Sequence, residues 1–135
     1  VLRVPLIISV PGMKSGRTRS IVELIDLMPT LAEICDLNVP PTVQGKSLFP
    51  VLKDHSVSVK EGALSFNRGG ISYRINGWSY TRYKGGSEEF YDMKEDPGQF
   101  FNLASQDDNK YMSQLKKIRS KFDIRLKSFG LKVEK

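Results

Sequence analysis

Thiol and imidazole, the side chains most often recruited as nucleophile, base or metal ligand, occur once each in these 135 residues, as Cys35 and His55. A single thiol cannot close an internal disulfide, and its apolar neighbours favour burial of Cys35 as a small hydrophobe. One imidazole supplies neither a zinc-ligand set nor a catalytic dyad. The chemistry left to the chain is ionic: 21 Lys and Arg stand against 15 Asp and Glu, a net charge of +6. That excess is local, because residues 110–135 hold nine Lys or Arg against Asp123 and Glu134 and the remainder is close to neutral. Such a segment is able to bind nucleic acid or another anionic polymer through Lys116, Lys117, Arg119, Lys121, Arg125 and Lys127. The interleaved exposed aromatics of a single-strand binder are missing, however, and a solvated helix face accounts for the pattern.

The elements that must position these charges are ordered around residues 88–103. Phe90, Tyr91 and Met93 read as the end of a strand, and Lys94-Glu95-Asp96-Pro97-Gly98 stops it, since Pro97 fixes φ and Gly98 tolerates positive φ. Before this turn, short strands are expected at Ala63–Phe66, Ile71–Ile75 and Trp78–Tyr83, with Phe90–Met93 closing the set. Gly69-Gly70, Asn76-Gly77 and Gly85-Gly86 mark the hairpin turns between them. After the turn, Asp107 or Asp108 caps a helix whose apolar positions Met112, Leu115, Ile118, Phe122, Leu126 and Phe129 step by three or four and end at Gly130. The expectation is a small antiparallel sheet of about four strands covered by one amphipathic helix.

Residues 1–60 have another character. Val1–Val10 reads as a strand buried on both faces, of the kind found in parallel sheets, and no second run like it follows. Ser20-Ile21-Val22-Glu23 has the form of a capping box, but a helix from Ser20 would carry Pro29 in its interior at about 3 kcal/mol. With Asp26 as N-cap instead, Pro29 falls in the first turn; this favours an extended Ile21–Ile25, then a helix from Leu27 to about Asp36 with Leu31, Ile34 and Cys35 inward. Leu48, Val51 and Leu52 suggest a short buried turn of helix, and residues 55–60 a polar linker. Hydrophobic content of 39% suits a globular chain, and no apolar run reaches membrane-spanning length. The chain starts at Val1 without an initiator Met and runs straight into an apolar strand, which leads us to expect a piece of a longer protein, so that a missing secretion signal says little about the parent's setting.

The run Phe90-Tyr91-Asp92-Met93-Lys94-Glu95-Asp96-Pro97-Gly98-Gln99, followed by Asn102-Leu103, resembles the C-terminal signature of the type I sulfatases. Further matches occur in the family's order: Arg3-Val4-Pro5-Leu6-Ile7 with Pro11-Gly12, Asp26-Leu27-Met28-Pro29-Thr30-Leu31, Val39-Pro40 with Gln44-Gly45-Lys46-Ser47-Leu48, and Ser72-Tyr73-Arg74 with Trp78-Ser79-Tyr80. The branch similar to iduronate-2-sulfatases is the nearest. The resemblance implies an α/β fold read here as an α+β fragment: residues 1–60 would be the end of the large catalytic domain, one strand and a helix, and residues 61–135 the C-terminal sheet subdomain with its final helix. It implies a parent enzyme that hydrolyses sulfate esters, using formylglycine and calcium, in a periplasmic, secreted or lysosomal setting. A phosphodiesterase or phosphotransferase of the same alkaline-phosphatase-like superfamily is the alternative.

The resemblance also implies what these residues lack. Cys35 precedes Asp36-Leu37-Asn38-Val39, without the Pro and Arg of a Cys-x-Pro-x-Arg motif, so no formylglycine is expected here. Asp54-His55 is similar to a metal-binding Asp-His pair of the family but lacks the following Gly and stands at the wrong place in the order, which makes it a solvated loop. No catalytic or metal residue is therefore expected in the fragment. Loops of the family's C-terminal sheet overhang the active-site mouth, which singles out Asn67, Arg68 and Lys84 as candidate substrate-binding residues, an Arg fork being suited to carboxylate or sulfate. The implied partners are a sulfated small molecule or glycan and the upstream catalytic domain of the same chain, with neither nucleic acid nor membrane.

Overall fold

A polar side chain, rather than an apolar stripe, organises the first half of the chain. In the computed structural model, which describes residues 4–106 and 109–131, Asp26 is fully buried. Its carboxylate accepts from the backbone N–H of Glu23 (2.8 Å) and of Lys46 (2.9 Å), and from Lys60 Nζ (2.7 Å). Asp26 closes a 3-10 turn, Leu24–Asp26, and precedes helix α1, Leu27–Ile34, whose Pro29 sits in the first turn as expected. Thr30 on α1 donates to the Asp26 carbonyl (2.5 Å) and accepts from the N–H of Leu48 (2.8 Å), which starts helix α2, Phe49–Lys53. Between these anchors Gly45 lies against the Ile25 carbonyl, where a Cβ would come within 2.0 Å. Only glycine permits that approach.

Three expectations for this half are corrected. Residues 4–10 form no strand, and Val4 and Ile7 are exposed; Val1 to Arg3 lie outside the described residues. A strand exists through pairing, and among the described residues none precedes Gly62 to pair with it. The segment Ile21–Ile25 is extended only until Leu24 enters the 3-10 turn. Finally, α1 buries Pro29, Thr30 and Ala32 while Leu31 and Cys35 are exposed, so Cys35 is not a buried thiol. The hydrogen bonds of Asp26 and Thr30 dictate which side of the helix faces in, because leaving those buried polar groups unpaired costs more than exposing a leucine.

The second unit, Leu64–Lys135 by its contacts, is the antiparallel sheet and its helix. The strands β1 (Gly62–Phe66), β2 (Gly70–Ile75), β3 (Trp78–Tyr83) and β4 (Glu88–Asp92) pair in chain order. Asn76 and Gly77 both take positive φ, 46° and 81°, as a two-residue hairpin turn needs. Helix α3, Asn109–Ser128, lies on the face that presents Tyr73, Ile75, Tyr80 and Phe90, burying Leu115, Ile118, Phe122 and Leu126. Gly130 (φ 70°) ends it, with Leu131 N–H donating to the Leu126 carbonyl and Gly130 N–H to that of Lys127. The proposed caps Asp107 and Asp108 lie outside the described residues.

After β4 the chain is clipped by two side chains. Asp96 accepts from the N–H groups of Phe101 (2.9 Å) and Phe100 (3.0 Å), and these bonds hold its carboxyl below the usual range. Asn102 accepts from the N–H of Phe90 (3.0 Å) and Ala104 (2.9 Å) and donates to the Glu88 carbonyl (3.0 Å). Asn102 thereby supplies backbone pairing that β4 would otherwise lack. Replacing Asn102 by Ala is expected to cost about 1–3 kcal/mol by leaving those backbone groups unmatched. Loss of amide exchange protection at Phe90 ahead of Tyr80 is the measurement that checks it.

Candidate functional site

The hairpin turns at one end of the sheet are built by backbone chemistry that leaves two cations outside. Asn67 Oδ1 accepts from the N–H groups of Gly69 (2.8 Å) and Gly70 (2.7 Å), and Asn67 N–H donates to the Gly70 carbonyl (3.0 Å). This closes the β1–β2 turn with Arg68 at its tip. Gly70 has no room for a side chain, since a Cβ would meet the Arg82 carbonyl at 2.5 Å. The β3–β4 turn runs through Gly85 and Gly86, both at positive φ, with Tyr83 N–H donating to the Ser87 carbonyl (2.9 Å). The two turns are joined directly: Lys84 N–H donates to the Gly69 carbonyl (2.8 Å).

Arg68 and Lys84 are therefore neighbours in space although 16 positions apart, both are exposed, and neither takes part in an ion pair among the described residues. Their loops are held rigid by the bonds just described. Two cations on a preorganised platform are suited to an anionic group, since little loop entropy is lost on binding. Asn67 plays another part: its carbonyl oxygen is committed to the turn, which makes it the residue that presents Arg68.

A second ionic group lies between sheet and helix, and residue-by-residue reading of the sequence missed it. Glu88 accepts from Arg119 Nε (2.9 Å) and from the Tyr80 hydroxyl; Arg82 reaches Tyr80 (3.0 Å), Glu88 (3.4 Å) and, through its other arm, Asp123 (2.8 Å). Burial alone would raise the Glu88 carboxyl, but the Arg119 and Tyr80 hydrogen bonds and the charge of Arg82 outweigh it and hold it below the usual range. Burial, then the bond to Glu88, pushes the Tyr80 hydroxyl well up. The available signal was the register, in which Arg82 stands opposite Glu88 across β3 and β4. Two guanidinium groups meet two carboxylates, so the cluster is balanced and structural.

Asp54 is exposed and accepts from the N–H (2.9 Å) and hydroxyl (2.7 Å) of Ser56, which lower its carboxyl, so that it caps a turn beside His55. The calcium and formylglycine implied for the parent find no fit here. Among the described residues no group of three or more His, Cys, Asp or Glu is arranged to hold a metal ion, and Cys35 lacks the flanking Pro and Arg.

Residues 1–67 match the family model described as N-sulphoglucosamine sulphohydrolase, C-terminal. Arylsulfatase K of Xenopus laevis is 32% identical across 89% of the chain, and the delta 4,5-hexuronate-2-O-sulfatase of Bacteroides thetaiotaomicron is 35% identical across 89%. The chain spans 26% and 27% of those two proteins, about a quarter of their length. The solved structure of a 2-O GAG sulfatase superposes on 81% of the chain with a TM-score of 0.63 and 32% identity, the match covering 26% of that protein. The motifs around Asp26, Gly45 and Asn102 each have a physical role in this fold, and sequence and structural neighbours agree, so the chain belongs to the sulfatases and corresponds to the C-terminal portion of its relatives.

Proposed function

We propose that the chain serves a sulfatase that hydrolyses sulfate esters of a sulfated sugar, and that within it these residues select the substrate. The observation that carries the reading is the Lys84 to Gly69 backbone bond, which sets Arg68 and Lys84 on adjoining rigid turns. Its relatives, a delta 4,5-hexuronate-2-O-sulfatase and a 2-O GAG sulfatase, support the chemical class of ligand by name. In this reading the groups that attack and polarise the ester belong to the rest of the enzyme, and residues 61–135 act as a subdomain beside its mouth. Arg68 would grip a sulfate or carboxylate of the sugar through its planar fork, and Lys84 would add a second, less directional charge.

In the full-length enzyme, Arg68→Ala is expected to lower kcat/KM on its sulfated sugar by about ten- to a hundredfold, the usual worth of a hydrogen bond to a charged group. Lys84→Ala should cost less, and a simple aryl sulfate without a sugar should be hydrolysed as before by both variants. Unchanged kinetics for Arg68→Ala on every sulfated sugar tested would remove this role.

A further inference from the structure

Folding sorts the charges of α3 in a way that its sequence does not announce. Of the seven cations between Asn109 and Ser128, Arg119 is spent on Glu88 and Arg125 lies over the Phe129 ring at 4.8 Å. The helix's one acidic residue, Asp123, is neutralised by Arg82 of the sheet. Lys110 lies over the Tyr111 ring at 4.9 Å, and on the outer face Lys116, Lys117 and Lys127 stand exposed with no carboxylate of the helix among them. From Lys116 to Lys127 this row extends about 16 Å at the rise of an α-helix.

The direction of the row matters. Tyr111 meets Trp78 at one end (rings 6.3 Å apart), and Phe129 meets Phe66 at the other (6.4 Å). Phe66 is the residue before Asn67, so the helix delivers its lysines toward the sheet end that carries Arg68 and Lys84. We infer that the outer face of α3 is an exosite for a linear sulfated polysaccharide, holding the chain by its repeated anions while one sugar reaches the Arg68 and Lys84 turns. The inference rests on the sulfatase reading above. Charge complementarity selects the occupant: lysines along a helix whose own aromatic side chains are all buried or half-buried suit a polymer of sulfates, whereas a nucleic-acid strand would call for exposed rings on which bases stack. Binding of this kind is long-ranged, multivalent and weakened by salt.

The test uses the full-length enzyme, with Lys116, Lys117 and Lys127 replaced together by Gln and, in a second variant, by Arg. A sulfated polysaccharide such as heparin and a sulfated monosaccharide serve as probes. The Gln variant is expected to lose roughly tenfold or more in kcat/KM on the polymer and to elute from a heparin column at lower salt, with monosaccharide kinetics unchanged. The Arg variant should restore both, which separates lost charge from lost folding. Equal polymer kinetics in wild type and Gln variant would overturn the exosite while leaving the sulfatase reading intact, as would an equal fall on both probes. Single-stranded RNA of matched length competing as well as heparin would overturn the choice of occupant. A wild type inactive on all sulfated sugars would remove the sulfatase reading and the exosite with it.

Discussion

Replacing Asp26 by Ala is expected to destabilise the first unit by about 3–5 kcal/mol, the cost of stripping a buried charge of its partner. The side chain is wholly buried and Lys60 Nζ lies 2.7 Å away with only 5% of its own side chain exposed, so the lysine would be left with Glu23 as its one remaining ion-pair partner of the two. Two backbone N–H groups, those of Glu23 and Lys46, would lose their acceptor at the same time. Because Lys46 is tied to Asp26 and Leu48 to Thr30, release of one is expected to free the whole stretch from Gly45 to Leu48. Amide hydrogen exchange reads this directly. Faster exchange at Lys46 and Leu48 is the expected result, with an intermediate effect for Asp26→Asn, which retains one acceptor. Unchanged protection at both amides in Asp26→Ala would show that the carboxylate does not hold this segment.

Phe122→Ala should be comparably severe in the second unit, at about 3–5 kcal/mol. Phe122 is fully buried, its ring 5.0 Å from that of Tyr80 and 6.2 Å from that of Tyr73, with the Arg82 guanidinium 4.9 Å from its centre. Removing the ring opens a cavity under α3 and takes the apolar support from beneath the Arg82 and Glu88 cluster. Trp78, the single tryptophan, stacks on Phe90 in this same core, so its fluorescence reports the unit's unfolding. The urea midpoint is expected to fall by about 2 M at a slope of about 2 kcal/mol/M. Ile124, two positions on and 66% exposed, provides the contrast: its replacement by Ala should change stability by less than about 0.5 kcal/mol. Similar midpoints for the two variants would contradict the packing described for α3.

The second unit was legible in the sequence because its periodicities are local. Short strand-forming runs, glycine-bearing turns between them and the three-and-four step of Leu115, Ile118, Phe122 and Leu126 each state a preference that tertiary packing had no reason to oppose. The first unit was read less well for the converse reason. Its organisation depends on Asp26 meeting Lys46 and Lys60, residues 20 and 34 positions away, and no spacing rule connects them. Leu31 and Cys35 looked inward by apolar character alone, yet α1 turned its polar side in to satisfy Asp26 and Thr30.

For the candidate site, the motif order pointed to a sulfatase, and that resemblance together with the guanidinium fork of Arg68 singled out the turns carrying Asn67, Arg68 and Lys84. That the two turns touch, that Asn67 is spent on holding one of them, and that Asp123 is withdrawn from the outer face of α3 were decided by the tertiary structure. The reason is physical: local sequence sets which backbone shapes are cheap, while the pairing of charges and of buried polar groups depends on distances that exist only once strands and helix have packed.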